Sequence, residues 1–246
     1  MTETDTLITL EKISYSYPAG KQVIKDLDLC LKKGQRLGLI GPNGSGKTTM
    51  FRLIMGLLRP DSGRLVIFGR EMTNKKDFFP IRQRVGLLFQ DPDDQLFSPT
   101  VLDDVAFGPL NQGKSIQEAK EISRKVLSDL GIGDFEDRIT YKLSGGEKKL
   151  VSLATVLAMK PDILLLDEPT SGIDPDTTHK IIHLLESIAV SAIIISHDMD
   201  FIRHTTGVIY GMIEGRISKE GGEIAHSHVH THDHGEVPHT HSDISG

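Results

Sequence analysis

The stretch GPNGSGKT, from Gly41 to Thr48, constrains the fold of this chain more than any other feature. It matches the pattern G-x-x-x-x-G-K-[ST] in full. A short apolar run at 36–40 precedes it, and residues 47–58 have helical spacing of their apolar side chains. The sequence therefore predicts a glycine-rich loop that joins a buried strand to the N-terminus of a helix. The residues predicted on the buried face of that helix are Met50, Leu53, Ile54 and Leu57.

A loop of this kind binds phosphate groups. Its glycines let successive backbone N–H groups point inward, and the helix behind it contributes about half a positive charge at its N-terminus. Lys47 adds a point charge between the β- and γ-phosphates, and the Thr48 hydroxyl is a ligand for Mg²⁺. The residues predicted to contact ATP in this stretch are Gly41, Pro42, Asn43, Gly44, Ser45, Gly46, Lys47, Thr48 and Thr49.

The composition is that of an ordinary globular protein. The 246 residues are 38% hydrophobic and 25% charged, and the formal net charge of -6 argues against nucleic acid as a partner. The single cysteine, Cys30, excludes an intrachain disulfide and a two-cysteine metal site. No apolar stretch approaches the roughly 20 residues that cross a bilayer, and the acidic start lacks the features of a signal peptide. We therefore expect any work at a membrane to depend on other subunits.

The order of patterns along the chain predicts an α/β core interrupted by helices. Residues 7–17 alternate apolar and polar side chains, as in a half-buried strand. The runs ILLL (163–166) and AIII (192–195) are continuously apolar, as expected of parallel strands covered on both faces. The expected units are a single domain at 1–219, made of a core at about 1–90 and 160–219 with a helical subdomain at about 91–159, and a histidine-rich tail at 220–246 that is too poor in apolar residues to pack.

Helical patterns fill the insertion. Residues 100–130 turn helical, with Ser115 as the predicted N-cap of IQEAKEISRKVLSDL and Gly131 as its stop. Residues 144–159 form a second candidate, and a further helix is predicted to begin near Pro175.

The stretch ILLLDE places two acids at the end of a buried strand. In a parallel sheet this strand end lies beside the phosphate loop, so Asp167 is predicted to hold Mg²⁺, through water. Glu168 follows directly and is predicted to polarise the attacking water as a general base. The alternative is a pair of acids that cap a strand end, and the phosphate loop in the same chain favours the catalytic interpretation.

A second glycine-rich turn, LSGGE at 143–147, opens the helix predicted at 144–159. A single phosphate-loop site does not use a second such turn, yet this one makes another anion-binding helix N-terminus. We therefore expect Ser144, Gly145 and Gly146 to contact the γ-phosphate of a nucleotide bound to another copy.

The order of GPNGSGKT, LSGGE, ILLLDEP, SGID and the histidine of IIISHD resembles that of ATP-binding cassette (ABC) ATPase subunits. The resemblance extends over nearly all of residues 7–218. It implies an α/β P-loop NTPase fold of the ABC ATPase type, with an N-terminal antiparallel β part and a helical subdomain inserted in the core.

The resemblance also implies roles for individual residues. Tyr17 matches the aromatic residue that stacks on adenine, and Gln90 matches the glutamine that links Mg²⁺ and water to the helical insertion. His197 matches the histidine that contacts the γ-phosphate, and the loop from Ser171 to Asp174 matches the one that crosses the dimer interface. Glu147 departs from the commoner glutamine after LSGG. The departure leaves the role of Glu147 open, because backbone amides and Ser144 carry the phosphate contact.

The stretch after Gln90, DPDDQLFSPTVLDDVAFGP, is similar to that of ATPases from energy-coupling-factor (ECF) importers. Those importers take up vitamins and transition metals. The resemblance implies that residues 90–100 dock on a membrane subunit, with Gln95 and the neighbouring acids in or near the contact. A solvated acidic turn is the alternative.

The tail bears on the cargo. Histidines stand at every second position, and in an extended chain they share one side at steps of about 6.6 Å. Neighbouring imidazoles then close on one divalent ion if the chain bends. The predicted Co²⁺ or Ni²⁺ ligands are His226, His228, His230, His232, His234, His239 and His241. On an ECF-type ATPase such a tract indicates the cobalt/nickel branch, which is CbiO-like, and a solvated tail is the alternative. The histidines at 179, 183 and 204 are predicted to be surface or packing residues.

The sequence thus predicts an ATPase subunit, a homodimer or heterodimer when working, at the cytoplasmic face of the cell membrane. It would drive cobalt or nickel uptake through separate integral membrane subunits, without nucleic acid. An importer of a vitamin or another non-metal stays open, as does a soluble ABC-type ATPase of DNA repair or translation. A third alternative is a metal-storage protein with a secondary phosphate loop.

Overall fold

The computed structural model describes residues 5–18 and 20–218 of the chain. The histidine tail, with the transition-metal site predicted in it, lies outside the described residues. The strands are β1 (Thr6–Ser16), β2 (Gln22–Lys32), β3 (Arg36–Ile40), β4 (Ser62–Ile67), β5 (Arg70–Glu71), β6 (Val85–Leu88), β7 (Ile163–Asp167), β8 (Ser191–Ile195), β9 (Val208–Ile213) and β10 (Arg216–Ser218). The α-helices are α1 (Lys47–Ile54), α2 (Phe78–Arg82), α3 (Val101–Asn111), α4 (Ile116–Asp129), α5 (Gly145–Ala158), α6 (Pro175–Ser187) and α7 (Met199–Thr205).

Two sheets organise the core. The first is antiparallel, in the order β2-β1-β4-β5, and contains the predicted alternating strand as β1. The second has the order β10-β9-β3-β8-β7-β6, in which the five strands from β9 to β6 run parallel and β10 is an antiparallel edge. Every residue of β7 and β8 is buried, which confirms the prediction from the continuous apolar runs.

The parallel sheet determines where the loops meet. The carboxyl ends of β3, β6, β7 and β8 lie at one edge, so the segments that follow them converge there. Those segments begin at Gly41, Phe89, Glu168 and Ser196, and each carries residues predicted to act on a nucleotide.

Helices α3, α4 and α5 pack on one another in the middle of the chain, and α5 also contacts β6. The predicted N-cap Ser115 accepts a hydrogen bond from the Glu118 amide, and Gly131 ends the helix region with φ +72°. The predicted helical stretch at 100–130 is two helices, because Gly113, with φ +85°, breaks it.

The prediction for α1 was wrong at its C-terminal end. The helix ends at Ile54, and Gly56 adopts φ +64°. Met50, Leu53 and Ile54 are buried as predicted, but Leu57 is 50% exposed because it lies beyond the helix. Across residues 5–18 and 20–218 no helix is both long and apolar enough to span a bilayer.

Candidate functional site

The loop at Gly41–Thr48 wraps tightly because glycines stand where side chains do not fit. At Gly41 φ is +150°, and a Cβ atom there would lie 2.1 Å from the carbonyl oxygen of Met212. Gly46 is the N-cap of α1 with φ +109°, in the left-handed region that favours glycine. The loop therefore brings its backbone close to the end of β9 and delivers the next residue, Lys47, to the start of α1.

The Lys47 side chain folds back over the loop. Its Nζ donates to the carbonyl oxygens of Gly41 at 2.7 Å and Pro42 at 3.1 Å, and the residue is buried. Burial lowers the pKa of Lys47, and the nearby carboxylates of Glu168 and Asp167 oppose that shift. An ammonium with three donors and two acceptors retains one N–H for a phosphate oxygen.

Thr48 and Asp167 meet at the start of α1 and the end of β7. The Thr48 hydroxyl donates to Asp167 Oδ2 at 2.7 Å. Burial raises the pKa of Asp167, and the Thr48 hydrogen bond together with the charges of Lys149, Lys47 and Arg52 opposes the rise. A hydroxyl and a carboxylate oxygen are the ligand types that Mg²⁺ takes at a nucleotide, so this pair fits the predicted metal.

Glu168 occupies a strained turn directly after β7. Its φ is +50°, and its amide donates to the carbonyl oxygen of Ile195 on the neighbouring strand at 2.9 Å. Glu168 Oε2 accepts the His197 amide at 3.3 Å, whereas Oε1 is buried and accepts no hydrogen bond from the described residues. Burial raises the pKa of Glu168, and the His197 amide bond works against it. The carboxylate thus has a free acceptor oxygen.

His197 links the end of β8 to the phosphate loop. Its Nε2 lies 3.1 Å from Asn43 Oδ1 and 3.5 Å from Glu168 Oε1. The side chain is 55% exposed and therefore accessible from the cavity. The side chains of Asn43, His197 and Glu168 thus connect the phosphate loop to the predicted general base.

These groups line one cavity of about 740 Å³. Tyr17 lies at its edge, with its hydroxyl 3.3 Å from Thr49 Oγ1 and its ring edge-on to Tyr15 at 5.0 Å. The predicted site residues that line the cavity are Tyr17, Asn43, Gly44, Gly46, Lys47, Thr48, Thr49, Gln90, Asp167, Glu168, Ser171 and His197. Lys21 and Val23 also line it, and the sequence motifs gave no signal for either residue.

Seven of the residues predicted for the nucleotide site and the dimer loop do not line this cavity. Three of them, Gly41, Pro42 and Ser45, belong to the phosphate loop itself, and Ser45 is buried. The other four, Ser144, Gly145, Gly146 and Asp174, line a neighbouring cleft of about 1050 Å³ between the core and the N-terminal end of α5. Thr48, Gln90, Asp167 and Ser171 border both spaces. Within one chain, therefore, the LSGGE turn does not join the lysine and glutamate of the phosphate-loop cavity.

The LSGGE turn is held by a reciprocal cap. Ser144 Oγ accepts the Glu147 amide at 3.3 Å, and Glu147 Oε2 accepts the Ser144 amide at 2.8 Å. Glu147 Oε1 also pairs with Arg138 at 2.9 Å, and the Ser144 amide bond is the main cause of its lowered pKa. Glu147 therefore has a structural role in this chain, which answers the question raised by its departure from glutamine.

The cap leaves the anion-binding face open. Ser144 and Gly145 are exposed, and a Cβ atom at Gly145 would meet nothing within 4 Å. At the loop after Glu168, Asp174 caps α6 by accepting the Thr177 amide at 3.0 Å.

Two side chains hold the backbone near Gln90, and neither was assigned that role from the sequence. Lys149 is only 2% exposed, and it contacts the backbone at Phe89 and Gln90. The amide of Gln95, a residue predicted in or near a partner contact, is bonded to α5. A lysine on the apolar face that also bears Leu153 and Val156 was the available signal for Lys149.

The remaining histidines are surface residues. His179, His183 and His204 are exposed on α6 and α7. In the part of the chain that the structure describes, no group of three or more His, Cys, Asp or Glu side chains is placed to hold a metal ion.

Known proteins match this chain in sequence and in fold. A family model described as "ABC transporter" matches residues 24–171. The chain belongs to the ABC transporter family of ATP-binding proteins. The fold class predicted from the sequence is thereby confirmed, and the chain is an ABC ATPase.

Individual relatives cover most of this ABC ATPase. A candidate ABC transporter ATP-binding protein of Nitratidesulfovibrio vulgaris is 45% identical over 98% of this chain and 89% of its own length. The energy-coupling factor transporter ATP-binding protein EcfA of Methanothermobacter thermautotrophicus is 42% identical over 87% of this chain and 70% of its own. The structure of cbiO1 from Clostridium perfringens, part of the ABC transporter complex cbiONQ, aligns with a TM-score of 0.77 at 35% identity, covering 88% of this chain and 90% of that one.

Proposed function

We propose that this ABC ATPase drives the uptake of cobalt or nickel ions as the ATP-binding subunit of an ECF-type importer. The membrane subunits of that importer are separate chains, and the ATPase binds them at the cytoplasmic face of the cell membrane. The observation that carries the proposal is an exposed acidic and aromatic surface directly after Gln90. The 42% identity to an EcfA protein supports the same importer type.

We call this region the Phe97 surface, defined by Asp91, Asp94, Phe97 and Phe107. Phe97 is 67% and Phe107 48% exposed, and their rings meet edge to face at 4.8 Å. Asp91 and Asp94 are exposed beside them. Exposed aromatic side chains that pack on each other at the surface favour a protein partner. The two acids favour a basic segment on that partner.

The loop that presents Phe97 is fixed from inside. The buried carboxylate of Asp104 accepts the amides of Phe97 at 3.1 Å and Ser98 at 2.9 Å through Oδ1. Its Oδ2 accepts the Thr140 hydroxyl at 3.0 Å, close to the LSGGE turn. The buried side chain of Asp104 therefore connects the loop that carries Phe97 to Thr140, in the segment that leads to Ser144.

At the phosphate-loop cavity the residues divide the work of hydrolysis. Loop amides and Lys47 hold the phosphates, and Tyr17 stacks on the base. Thr48 and Asp167, with Gln90 nearby, would hold Mg²⁺, which when bound neutralises charge on the β- and γ-phosphate oxygens. The Glu168 carboxylate takes the proton of the attacking water, and His197 donates towards the γ-phosphate.

The site is completed by a second copy. Ser144, Gly145 and Gly146 line the neighbouring cleft rather than the phosphate-loop cavity of their own chain, and Ser144 and Gly145 are exposed there. In a head-to-tail pair of chains, they contact the γ-phosphate held by the partner's loop, with Ser171 to Asp174 at the interface. Two nucleotides are then enclosed by two ATPase subunits, identical or different.

The cargo follows from the tail composition. Its seven histidines supply imidazole ligands, which bind Co²⁺ and Ni²⁺ but also favour Cu²⁺. The tail therefore concentrates or senses the ion, and the membrane subunits select it. An importer of a vitamin uses the same ATPase chemistry and is the second candidate, because the relative named above carries only the general ECF name.

Co-expression with the neighbouring membrane components tests the docking part of this proposal. We expect the tagged ATPase to purify with those components in detergent, and Phe97→Asn to weaken the complex roughly tenfold, as for an aromatic interface residue. Ile116→Asn, which changes an equally exposed apolar residue on α4, is the matched control and should leave the complex intact. Equal binding by Phe97→Asn and the wild type would contradict docking at the Phe97 surface.

A further inference from the structure

Hydrogen bonds of two side chains, Lys149 and Gln95, fasten the backbone at Phe89 and Gln90 to α5. Lys149 Nζ donates to the carbonyl oxygens of Phe89 at 3.2 Å and Gln90 at 2.6 Å. Gln95 Oε1 accepts the Phe89 amide at 3.1 Å. Gln95 Nε2 then donates to α5 itself, at Ser152 O (2.8 Å) and Thr155 Oγ1 (2.7 Å). We call the side chains of Lys149 and Gln95 the Gln90 clasp.

The Gln90 clasp is unusual because it contains a buried charged group, the ammonium of Lys149. Lys149 is 2% exposed, and both of its recorded acceptors are neutral carbonyl oxygens. Burial lowers its pKa, while the charges of Asp167, Asp91 and Glu168 oppose that shift. A buried ammonium costs free energy that a methionine of similar length would not. Packing alone therefore does not explain a lysine at this position.

The position of Lys149 on α5 gives the reason. Ser144, the N-cap of the helix, lies five residues earlier, which at 1.5 Å per residue is about 7.5 Å along the helix axis. One end of α5 thus carries the LSGGE turn, and its next turn holds Gln90 at the edge of the phosphate-loop cavity. Gln90 follows β6 in the chain and is therefore joined covalently to the core. Its carbonyl oxygen is also held by a hydrogen bond from Lys149 on α5.

We propose that Lys149 and Gln95 are positioning residues that make Gln90 and the LSGGE turn move together. ATP bound in the cavity draws Gln90 inward, and the clasp passes that displacement to Ser144, which serves the nucleotide of the partner chain. The inference rests on the roles given to Gln90 and Ser144 in the proposed function. It adds the physical connection between the two nucleotide sites.

Hydrogen–deuterium exchange on the full-length chain tests this connection, with Glu168→Gln as the parent so that bound ATP persists. In the parent, ATP should slow exchange about tenfold or more in peptides covering 41–54 and 140–150. In Lys149→Met the 41–54 peptide should keep its protection, which shows that ATP is bound, while the 140–150 peptide loses it. Lys148→Met changes the adjacent lysine, whose Nζ pairs with the exposed Asp93 at 2.6 Å, and should behave as the parent.

A second variant separates the clasp from a folding defect. Gln95→Glu keeps an acceptor for the Phe89 amide but loses both donors to α5, with almost no change in volume. It should reproduce the selective loss at 140–150 while exchange without ATP stays at the parent level. ATP protection of 140–150 in both clasp variants would overturn the proposal. Absence of protection at 41–54 in the parent would instead contradict the ATP site, and this proposal with it.

Discussion

The Thr48 hydroxyl and the Asp167 carboxylate share a 2.7 Å hydrogen bond although 119 residues separate them in the sequence. One belongs to the first turn of α1, and the other is the last residue of β7. The fold therefore brings together two of the predicted Mg²⁺ ligands.

The charge of Asp167, rather than its hydrogen bond, should be what the nucleotide site needs. Asp167→Asn keeps an oxygen acceptor for Thr48 but removes the negative charge beside Mg²⁺. We expect kcat for ATP hydrolysis to fall by about 10²-fold or more, while ATP binding in EDTA changes little. Asp162→Asn removes an exposed acid paired with Arg84 just before β7 and should retain activity. Normal turnover in Asp167→Asn would contradict its assignment.

Glu168→Gln should bind ATP and lose turnover. Removing a positioned general base costs roughly 10²- to 10⁴-fold in kcat, whereas the amide keeps an acceptor for the His197 amide. Steady-state hydrolysis and equilibrium binding of ATP, measured on the same preparation, separate the two effects. Near-normal turnover would remove Glu168 from the role of base.

The raised pKa of Glu168 predicts a pH-dependent gain in stability for Glu168→Gln. Burial raises the folded-state pKa above the unfolded value near 4.5, so the charged carboxylate destabilises the free protein once the pH exceeds both values. We expect the variant to have a higher Tm than the wild type at pH 7.5 without nucleotide. The difference in Tm should shrink as the pH falls from the raised folded-state pKa towards the unfolded value, and it should vanish below about 4.5. A lower Tm at pH 7.5 would show that the carboxylate is not penalised by burial.

Glu147 should matter for stability and not for phosphate contact. Glu147→Ala removes half of the reciprocal cap and the Arg138 ion pair, which should lower stability by about 1 kcal/mol and Tm by about 2–4 °C. Glu147→Gln retains an acceptor for the Ser144 amide, so its Tm should fall less. Thermal unfolding of the three proteins, beside their ATPase rates, checks this order. A loss of turnover in Glu147→Gln with unchanged Tm would indicate a direct role at the nucleotide.

The histidine tail should bind metal without supporting hydrolysis. Replacing its seven histidines with asparagine should lower the number of Co²⁺ or Ni²⁺ ions bound per chain in equilibrium dialysis, because the imidazole ligands are lost. ATPase activity should stay within about twofold, since the residues predicted for the nucleotide site all lie between Tyr17 and His197. Equal metal binding by the two proteins would contradict the metal-binding interpretation of the tail.

Most strand ends at the nucleotide site could be predicted from the sequence, because the local motifs and the topology of a parallel sheet indicate the same place. The glycine pattern at Gly41–Thr48, the apolar run before Asp167 and the run before His197 each predict a strand end, and parallel strands bring their ends to one edge. The C-terminal end of α1 could not be predicted, because the helical spacing of apolar residues continues through Leu57, beyond the positive φ of Gly56 that ends the helix region.

The contacts around Gln90 could not be predicted from spacing. Gln95 follows a turn-rich acidic run, which is typical of a surface loop, yet its side chain turns towards α5. That direction depends on the distance between Phe89 and α5 in the folded chain. For Lys149, its place on the apolar face of α5 indicates burial, but only the folded structure shows the carbonyl oxygens around its ammonium group.

Uptake of radiolabelled Co²⁺ and Ni²⁺ tests the central claim most directly. Cells should express this subunit with its neighbouring membrane components, beside matched cells that carry Glu168→Gln. We predict accumulation of at least one of the two ions with the wild-type subunit, and a loss of about tenfold or more with Glu168→Gln, because transport depends on hydrolysis. Equal uptake of both ions in the two strains, with a vitamin taken up only by the wild type, would contradict the metal cargo.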